Sequence, residues 1–414
     1  MAEYGDQTRR SFLATSARIA AVAGLMTTAG RARADAQADR GPALKVTGGP
    51  KPKAIDPSKP IRLGIVGAGG RAGYVLRQMF EVEPNMVVVA IADPQQGNID
   101  RMVNDHPERI KDRPATYTGP DDYRTKLLAR EDVDAVLLAT PCHLHAPMYL
   151  DCFAAGKHFY GEKPMAITVN EARAMREAQA KNPEVIGHIG FQRRATELYH
   201  KGIGMVRDDV TGGLLDCRAA WNNSWGPLGK PGDGPRIWFG RRAMSGDWML
   251  EQACHTWDVL NWVAGKLPVA VSGFGYKDTF KEMDPDRDVT DLYYAHLEYP
   301  DFVVDYEHSW ICPPNDEGRF TGVFERFSGL KGGIALNEGK FFPRDGSKPV
   351  VDYADGQGDP KWTQESVRAF FASLRERKPA ACGVNEGYDA TLVGLLVRRA
   401  VDERRRVTMK ELLG

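Results

Sequence analysis

One early stretch, Gly64-Ile65-Val66-Gly67-Ala68-Gly69-Gly70-Arg71-Ala72-Gly73, constrains the fold more than any other part of the chain. Apolar Ile61, Leu63, Ile65 and Val66 build a short strand, and Gly67 and Gly69 turn the backbone. Tyr74 to Phe80, apolar at Val75, Leu76, Met79 and Phe80, then reads as a helix. That order of events suits a dinucleotide. One glycine makes the tight turn, the next admits main chain to the pyrophosphate, and small Ala72 lets helix pack on strand. Phosphates then meet free amides at the helix N-terminus, with the dipole in their favour. The glycines alone specify little, because a Gly-rich turn needs no ligand. The strands and loops downstream of them decide between a bare turn and a cofactor site.

Met86 to Ala92 is a near-continuous apolar run ending at Asp93, and Asp134 to Thr140 is another, as expected of parallel strands buried on both faces. Lys157 to Tyr160 and Glu184 to Gly190 are shorter strands. Ala146 to Ala154 reads as a helix between strands, and Asn170 as the cap of a helix running to about Ala180. Alternating strands and helices imply a doubly wound parallel sheet.

After about Arg194 the strands become longer and consecutive: Leu214 to Trp221, Val269 to Tyr276, Thr290 to Tyr299, Phe302 to Trp310 and Thr321 to Ser328. They predict a mostly antiparallel open sheet. A helix over Asp247 to Ala264 interrupts them, and helices over Thr363 to Glu376 and Asn385 to Arg404 close the chain. The expected class is therefore α/β: a Rossmann-type domain over 61–193, then an α+β substrate-binding and oligomerisation domain over 194–414, with its last helices packing back on the first domain.

Residues 1–34 differ in kind. Thr8-Arg9-Arg10-Ser11-Phe12-Leu13 is a twin-arginine signature, an apolar stretch comes next from Ile19 to Met26, and Ala32-Arg33-Ala34 supplies a small-x-small cleavage site. The apolar run is too short to span a bilayer. The expectation is an exported, periplasmic protein without a membrane anchor after cleavage. Residues 35–60, rich in Pro and Gly, read as an extended arm. Formal net charge is zero, so no global field favours nucleic acid or an anionic membrane. The six cysteines make no C-x-x-C pair and no zinc-ligand spacing. Neither a metal site nor a disulfide framework is expected.

Asp93 stands at a strand end 26 residues after Gly67. A carboxylate there can accept from ribose hydroxyls and would repel a 2′-phosphate, which favours NAD over NADP. Thr140-Pro141-Cys142-His143-Leu144-His145 and Glu162-Lys163-Pro164 come after two further strands, so three strand-end loops converge on one crevice. Together with Gly-x-Gly-Gly-Arg, these motifs resemble the Gfo/Idh/MocA oxidoreductase family, named for glucose–fructose oxidoreductase and inositol dehydrogenase. The resemblance covers the chain from about Ile61 onward. It implies that Gly67, Gly69, Gly70 and Arg71 border the pyrophosphate and Asp93 the adenosine ribose. It implies that Thr140, Pro141, His145 and Glu162 line the cofactor cleft and that Lys163 sits between nicotinamide and substrate. Gly190-Phe191-Gln192-Arg193-Arg194 resembles the family's segment at the domain junction, with Gln192 facing the nicotinamide.

Glu251, His255 and Asp258 are spaced i, i+4, i+7, which predicts one stripe on the 247–264 helix, extended by Trp248 and Trp262. The family's segment reads Asp-x-Gly-x-His-x-x-Asp; His255 and Asp258 match it, whereas Glu251 and Ala253 depart from it. Oxidising a carbinol requires removing a hydroxyl proton, which suits His255, with Asp258 orienting its ring and Lys163 polarising the oxygen. In the Gly/Pro-rich segment 222–245, Trp225, Trp238 and Arg241, with Glu251, are candidates for substrate contact; the same aromatic and basic residues equally suit a subunit interface.

Three functions are expected from these residues. The first is an NAD-dependent oxidoreductase acting on a sugar, polyol or glycoside hydroxyl, with its cofactor retained after export, held in part by the 35–60 arm. The second is a redox-neutral hydrolase or lyase of the same fold. The third is a non-catalytic sugar-binding relative. By analogy with the family, a homodimer or homotetramer is expected.

Overall fold

The computed structural model describes residues 39–224, 238–313, 315–347 and 361–414 and the backbone of 351–352. Its first half is a six-stranded sheet in the order β3-β2-β1-β4-β5-β6, built from β1 (Arg62–Val66), β2 (Val87–Ala92), β3 (Ala115–Tyr117), β4 (Ala135–Leu138), β5 (His158–Gly161) and β6 (Gly187–Ile189). Every pairing in it is parallel. The strands Val-Val-Val-Ala-Ile-Ala and Ala-Val-Leu-Leu are apolar throughout because helices cover both faces, leaving no polar side for alternation. Their carboxyl ends, and the three loops leaving them, share one edge.

Helix α1 (Gly70–Val82) buries Ala72, Val75, Leu76, Met79 and Phe80. Between it and the domain junction lie α2 (Gln96–Asn104), α3 (His145–Ala154) and α4 (Val169–Lys181), and α5 (Glu197–Arg207) comes just after the junction. The cap of α4 is Thr168 rather than Asn170. Thr168 Oγ1 accepts from the Glu171 amide at 3.2 Å, and the Glu171 carboxylate accepts from the amides of Thr168 and Ile167. This capping box satisfies orphan donors in both directions. It frees Asn170 to donate to the Gly41 carbonyl of the arm.

The second half carries a nine-stranded sheet, with parallel pairing only between β7 (Asp216–Asn222) and β10 (Val303–Ser309). The intervening strands are β8 (Ala270–Tyr276) and β9 (Leu292–Glu298), and β11 (Gly322–Ser328) flanks β7 on its other side. Alternation is clean: in β9, Tyr293, Ala295 and Leu297 are buried while Tyr294 and His296 face outward. The outward face also carries Phe274, Tyr276 and Asp305, which no helix covers among the described residues.

The helix expected over 247–264 is broken. After α6 (Arg242–Ser245) come α7 (Trp248–Glu251) and α8 (Cys254–Ala264). The Ala253 amide reaches back to the Trp248 carbonyl at 2.9 Å, one residue out of α-helical step. The carbonyls this slip releases are taken from outside: Met249 accepts from the Trp257 indole at 2.7 Å, and Glu251 from the Lys163 ammonium. Tertiary bonds thus override a continuous apolar period.

The chain closes with α9 (Lys361–Glu376), α10 (Val384–Glu403) and α11 (Met409–Leu413). Val367, Phe370, Phe371 and Leu374 of α9 join the core of α1, and Arg375 pairs with Glu83 at 2.8 Å. Helix α10 packs on α4, α7 and α8 together. The arm, described from Asp39, crosses α4 and then the amino-terminal edge of the parallel sheet: the Gly49 amide donates to Asn182, Lys51 pairs with Glu184 and Lys53 with Glu131. These contacts lie at the edge opposite the glycine loop. The expectation that the arm helps hold a cofactor is therefore corrected for residues 49–60. All six cysteines are free thiols, five of them buried.

Candidate active site

Gly67 adopts φ +83, and a Cβ there would lie 2.6 Å from the Ala139 carbonyl, so only glycine fits. Gly69, Gly70 and Gly73 meet nothing within 4 Å where a Cβ would stand. The loop therefore presents bare backbone and the amide end of α1 to open space, beside a cavity of about 170 Å³ running toward Arg77 and Arg101. Such a cradle fits a dinucleotide pyrophosphate. The same geometry sets opposite signs for two substitutions. Gly73→Ala is expected to raise the melting temperature of the cofactor-free protein, by about 1 kcal/mol of helix propensity. Gly67→Ala is expected to cost at least about 2 kcal/mol, from the left-handed backbone together with the overlap. A calorimetric scan of both reads the difference.

Asp93 is buried and already engaged. Its Oδ2 accepts from the Ala68 amide at 2.7 Å, and its Oδ1 from the Gln95 amide and the Asn98 side chain. Its observed work is to brace the glycine turn against the end of β2. Arg71 donates to Glu162 at 2.7 Å, joining the glycine loop to the end of β5. Tyr149 also bonds this segment, donating to the Glu162 carbonyl at 2.5 Å. Thr140 and Pro141 are half-exposed at the end of β4. His145 is 1% exposed, with its ring nitrogens 2.8 and 2.7 Å from the carbonyl oxygens of Thr140 and Pro164. The ring staples two loops together rather than lining a cleft, which corrects the expectation for this residue. Burial lowers its pKa, against the pull of both carbonyls.

Lys163 donates to the Glu251 carboxylate at 2.9 Å and to the Glu251 carbonyl. Burial would strip its proton, but the Glu251 charge more than offsets that and raises its pKa, so it stays an ammonium. Glu251 is thus the counter-ion of Lys163, and none of its contacts marks it as a substrate ligand. His255 stands in the first turn of α8, stacked on Trp221 at 5.7 Å and edge-on to Phe191 at 5.7 Å. Burial, then the charges of Lys163, Arg193 and Arg71, holds the imidazole well below its ordinary pKa, so it is neutral. Among the described residues, no hydrogen-bond partner is recorded for either ring nitrogen.

Asp258 does not orient that ring. Its two oxygens accept from Arg194 Nε at 2.8 and 3.0 Å, in a site where Asp258 is 1% exposed and its pKa is pushed up by burial to about 6. A guanidinium delivered by the junction segment outcompetes an imidazole one helical turn away. Arg194 also lies 5.0 Å over the Trp262 ring. Gln192 is buried, with its Nε2 3.5 Å from Thr363 Oγ1 of α9. Arg193 bonds Glu325, which accepts as well from Tyr199 and Thr256. This buried cluster lies behind the Trp221–His255 stack, and sequence reasoning missed it. The only signal was the doubled arginine of Arg193-Arg194, whose partners lie 132 and 64 residues away.

Of the substrate candidates, Trp225 lies outside the described residues. Trp238 stacks on Phe239 at 3.9 Å, and Phe239 on Trp248 at 5.9 Å. Arg241 pairs with Asp284 through two bonds of 2.7 and 2.8 Å. Among the described residues no group of His, Cys, Asp or Glu is arranged to hold a metal ion.

A glycine cradle at the carboxyl edge of a parallel sheet, with Lys163 near enough to buried His255 for its charge to act on the ring, defines a dinucleotide-binding fold. Comparison with known proteins agrees. Residues 61–189 match the Gfo/Idh/MocA oxidoreductase family's NAD-binding Rossmann fold, and residues 203–328 match that family's C-terminal domain. The chain belongs to the Gfo/Idh/MocA family. Curated relatives include "Glycosyl hydrolase family 109 protein 1" of Shewanella sp. strain ANA-3, 34% identical over 164 residues, and "Alpha-N-acetylgalactosaminidase" of Shewanella oneidensis, 33% identical over 164 residues. In both, the match covers 39% of this chain and 35% of the relative. A levoglucosan dehydrogenase solved with NADH and levoglucosan has the same fold, with a TM-score of 0.70 at 20% identity over 85% of this chain and 100% of that one.

Proposed function

We propose that the protein oxidises a hydroxyl of a sugar, polyol or glycoside with NAD as cofactor. The observation that carries this reading is a charged Lys163 near a neutral His255 whose ring nitrogens have no hydrogen-bond partner among the described residues, beside the glycine cradle. Gly67, Gly69 and Gly70 would hold the pyrophosphate, and the bound nicotinamide would supply hydride acceptance. His255 takes the hydroxyl proton, for which a neutral imidazole is competent. Lys163, kept cationic by Glu251, stabilises negative charge developing on the same oxygen. Buried Asp93 disfavours a 2′-phosphate nearby, which supports NAD over NADP.

A second reading is favoured by the names of the curated relatives: a redox-neutral glycosidase in which the same pair serves a transient oxidation. Purifying the protein and monitoring its bound nicotinamide spectrum during addition of sugars and aryl glycosides separates the two. Accumulating reduced cofactor supports the first reading; released aglycone without net reduction supports the second. No spectral change and no product with any of them would leave a sugar-binding relative. The twin-arginine sequence supports export to the periplasm, and the uncovered aromatic face of the second sheet supports a homodimer or homotetramer.

A further inference from the structure

Arg398 of α10 is 5% exposed and makes bonds in three directions. Its Nη1 donates to the Gly246 carbonyl at 2.7 Å, and its Nη2 lies 3.5 Å from the Ile167 carbonyl. Its Nε and Nη2 donate to Asp39 of the arm at 3.0 and 2.6 Å. The two carbonyls belong to the two loops that matter. Ile167 ends the stretch beginning at Glu162-Lys163-Pro164, and Gly246 precedes the turn of α7 that ends in Glu251. The loops also touch directly: a Cβ on Gly246 would lie 2.8 Å from the Ile167 side chain.

The corner itself is rigid. Gly246 and Asp247 both have positive φ, at +81 and +76. Asp247 accepts from the Trp248 amide and from the Thr290 amide and hydroxyl. Asp402, one turn after Arg398 on α10, accepts from Arg242, so α10 grips the chain on both sides of the corner.

We propose that Arg398, with Asp39 as its counter-ion, is a positioning residue that keeps Glu251 on Lys163. The clamp does not touch substrate. It fixes the distance between two loops from different halves of the chain, and with it the charge state and orientation of the lysine. A planar guanidinium can bond two carbonyls and a carboxylate at once, which an ammonium cannot do in the same plane. Asp39 is needed because a buried guanidinium bonded only to carbonyls carries an uncompensated charge. The described end of the arm thereby becomes part of the support of the site. This rests on the preceding reading only in taking Lys163–Glu251 as the working pair.

Competitive labelling of the full-length protein with acetic anhydride tests the clamp without any substrate. Exposed Lys111 serves as the internal standard and mass spectrometry as the readout. In Arg398→Met and in Asp39→Asn, the labelling rate of Lys163 relative to Lys111 is expected to rise tenfold or more. In Asp39→Glu it is expected to return to within about threefold of the wild-type rate. Should a single variant fail to fold, Asp39→Leu/Arg398→Met removes both charges together and is expected to show the same rise. Wild-type labelling of Lys163 in a folded Arg398→Met or double variant would overturn the proposal. It would leave the sugar chemistry, read by the nicotinamide spectrum, untouched.

Discussion

Replacing His255 with alanine is expected to lower turnover by about 10²–10⁴-fold, the usual contribution of a positioned general base, while the protein keeps its nicotinamide. The ring is buried, neutral and stacked on Trp221, with no recorded partner for its nitrogens among the described residues. Among the described residues it is therefore a base without an orienting carboxylate, its ring held between Trp221 and Phe191. Asp258→Asn is the informative companion. Because Asp258 bonds Arg194 instead, that variant is expected to lose stability, by about 1–3 kcal/mol for weakening a buried charged hydrogen bond, and less than tenfold in turnover. Equal kinetic losses in the two variants would restore an Asp–His dyad and sink the present assignment. The measurement is steady-state turnover on a substrate that reduces the bound cofactor, beside a thermal melt of each variant.

The second large effect is acid lability. Burial lowers the pKa of His158 to about 4 and of His188 and His308 to about 3. In the unfolded chain each titrates near 6.5. Below that pH the unfolded state binds protons that the folded state refuses, so stability falls as pH falls. At pH 5 each of the three contributes a loss of about 2 kcal/mol, since the folded rings are still neutral there. Asp258 acts in the other direction. Its folded pKa of about 6 lies above the unfolded value, so it returns about 1 kcal/mol over the same interval. From these four groups the loss is roughly 5 kcal/mol, comparable with the whole stability of many proteins, and His145 and His255, whose pKa values burial also lowers, act in the same direction. It should lower the melting temperature by on the order of 5 °C between pH 7.5 and pH 5 for a chain of this length. A melting temperature that stays level across that window would contradict the buried, neutral state of these rings.

The strands and most helices were legible because their residues obey local rules. Apolar runs such as Val87 to Ala92 declare a doubly covered strand, and alternation such as Tyr293, Ala295 and Leu297 declares a half-covered one. The glycine loop was legible for the same reason: its backbone need is written in its own residues. The features that stayed hidden depend on partners far along the chain. The apolar period across 247–264 continues without interruption, while the break is made by a lysine 88 residues away and by an indole on the next helix. Helical spacing places Asp258 one turn from His255, but its partner was chosen by the junction segment. Likewise the arm's composition announced an extended segment, yet nothing in it announced that Asp39 would be buried against the penultimate helix.

That last contact also has an order in time. Asp39 and Arg398 are 359 residues apart. At about 5–20 residues per second of synthesis, Asp39 emerges roughly 20–70 s before its partner exists. Throughout that interval the parallel sheet and α4 can form and take up Gly41, Gly49, Lys51 and Lys53 of the arm, but Asp39 still lacks its partner. Asp39 therefore stays without its guanidinium until α10 has been made. On the proposal above, its capture by α10 comes only after the lysine and the glutamate have both been made, and it then holds them together.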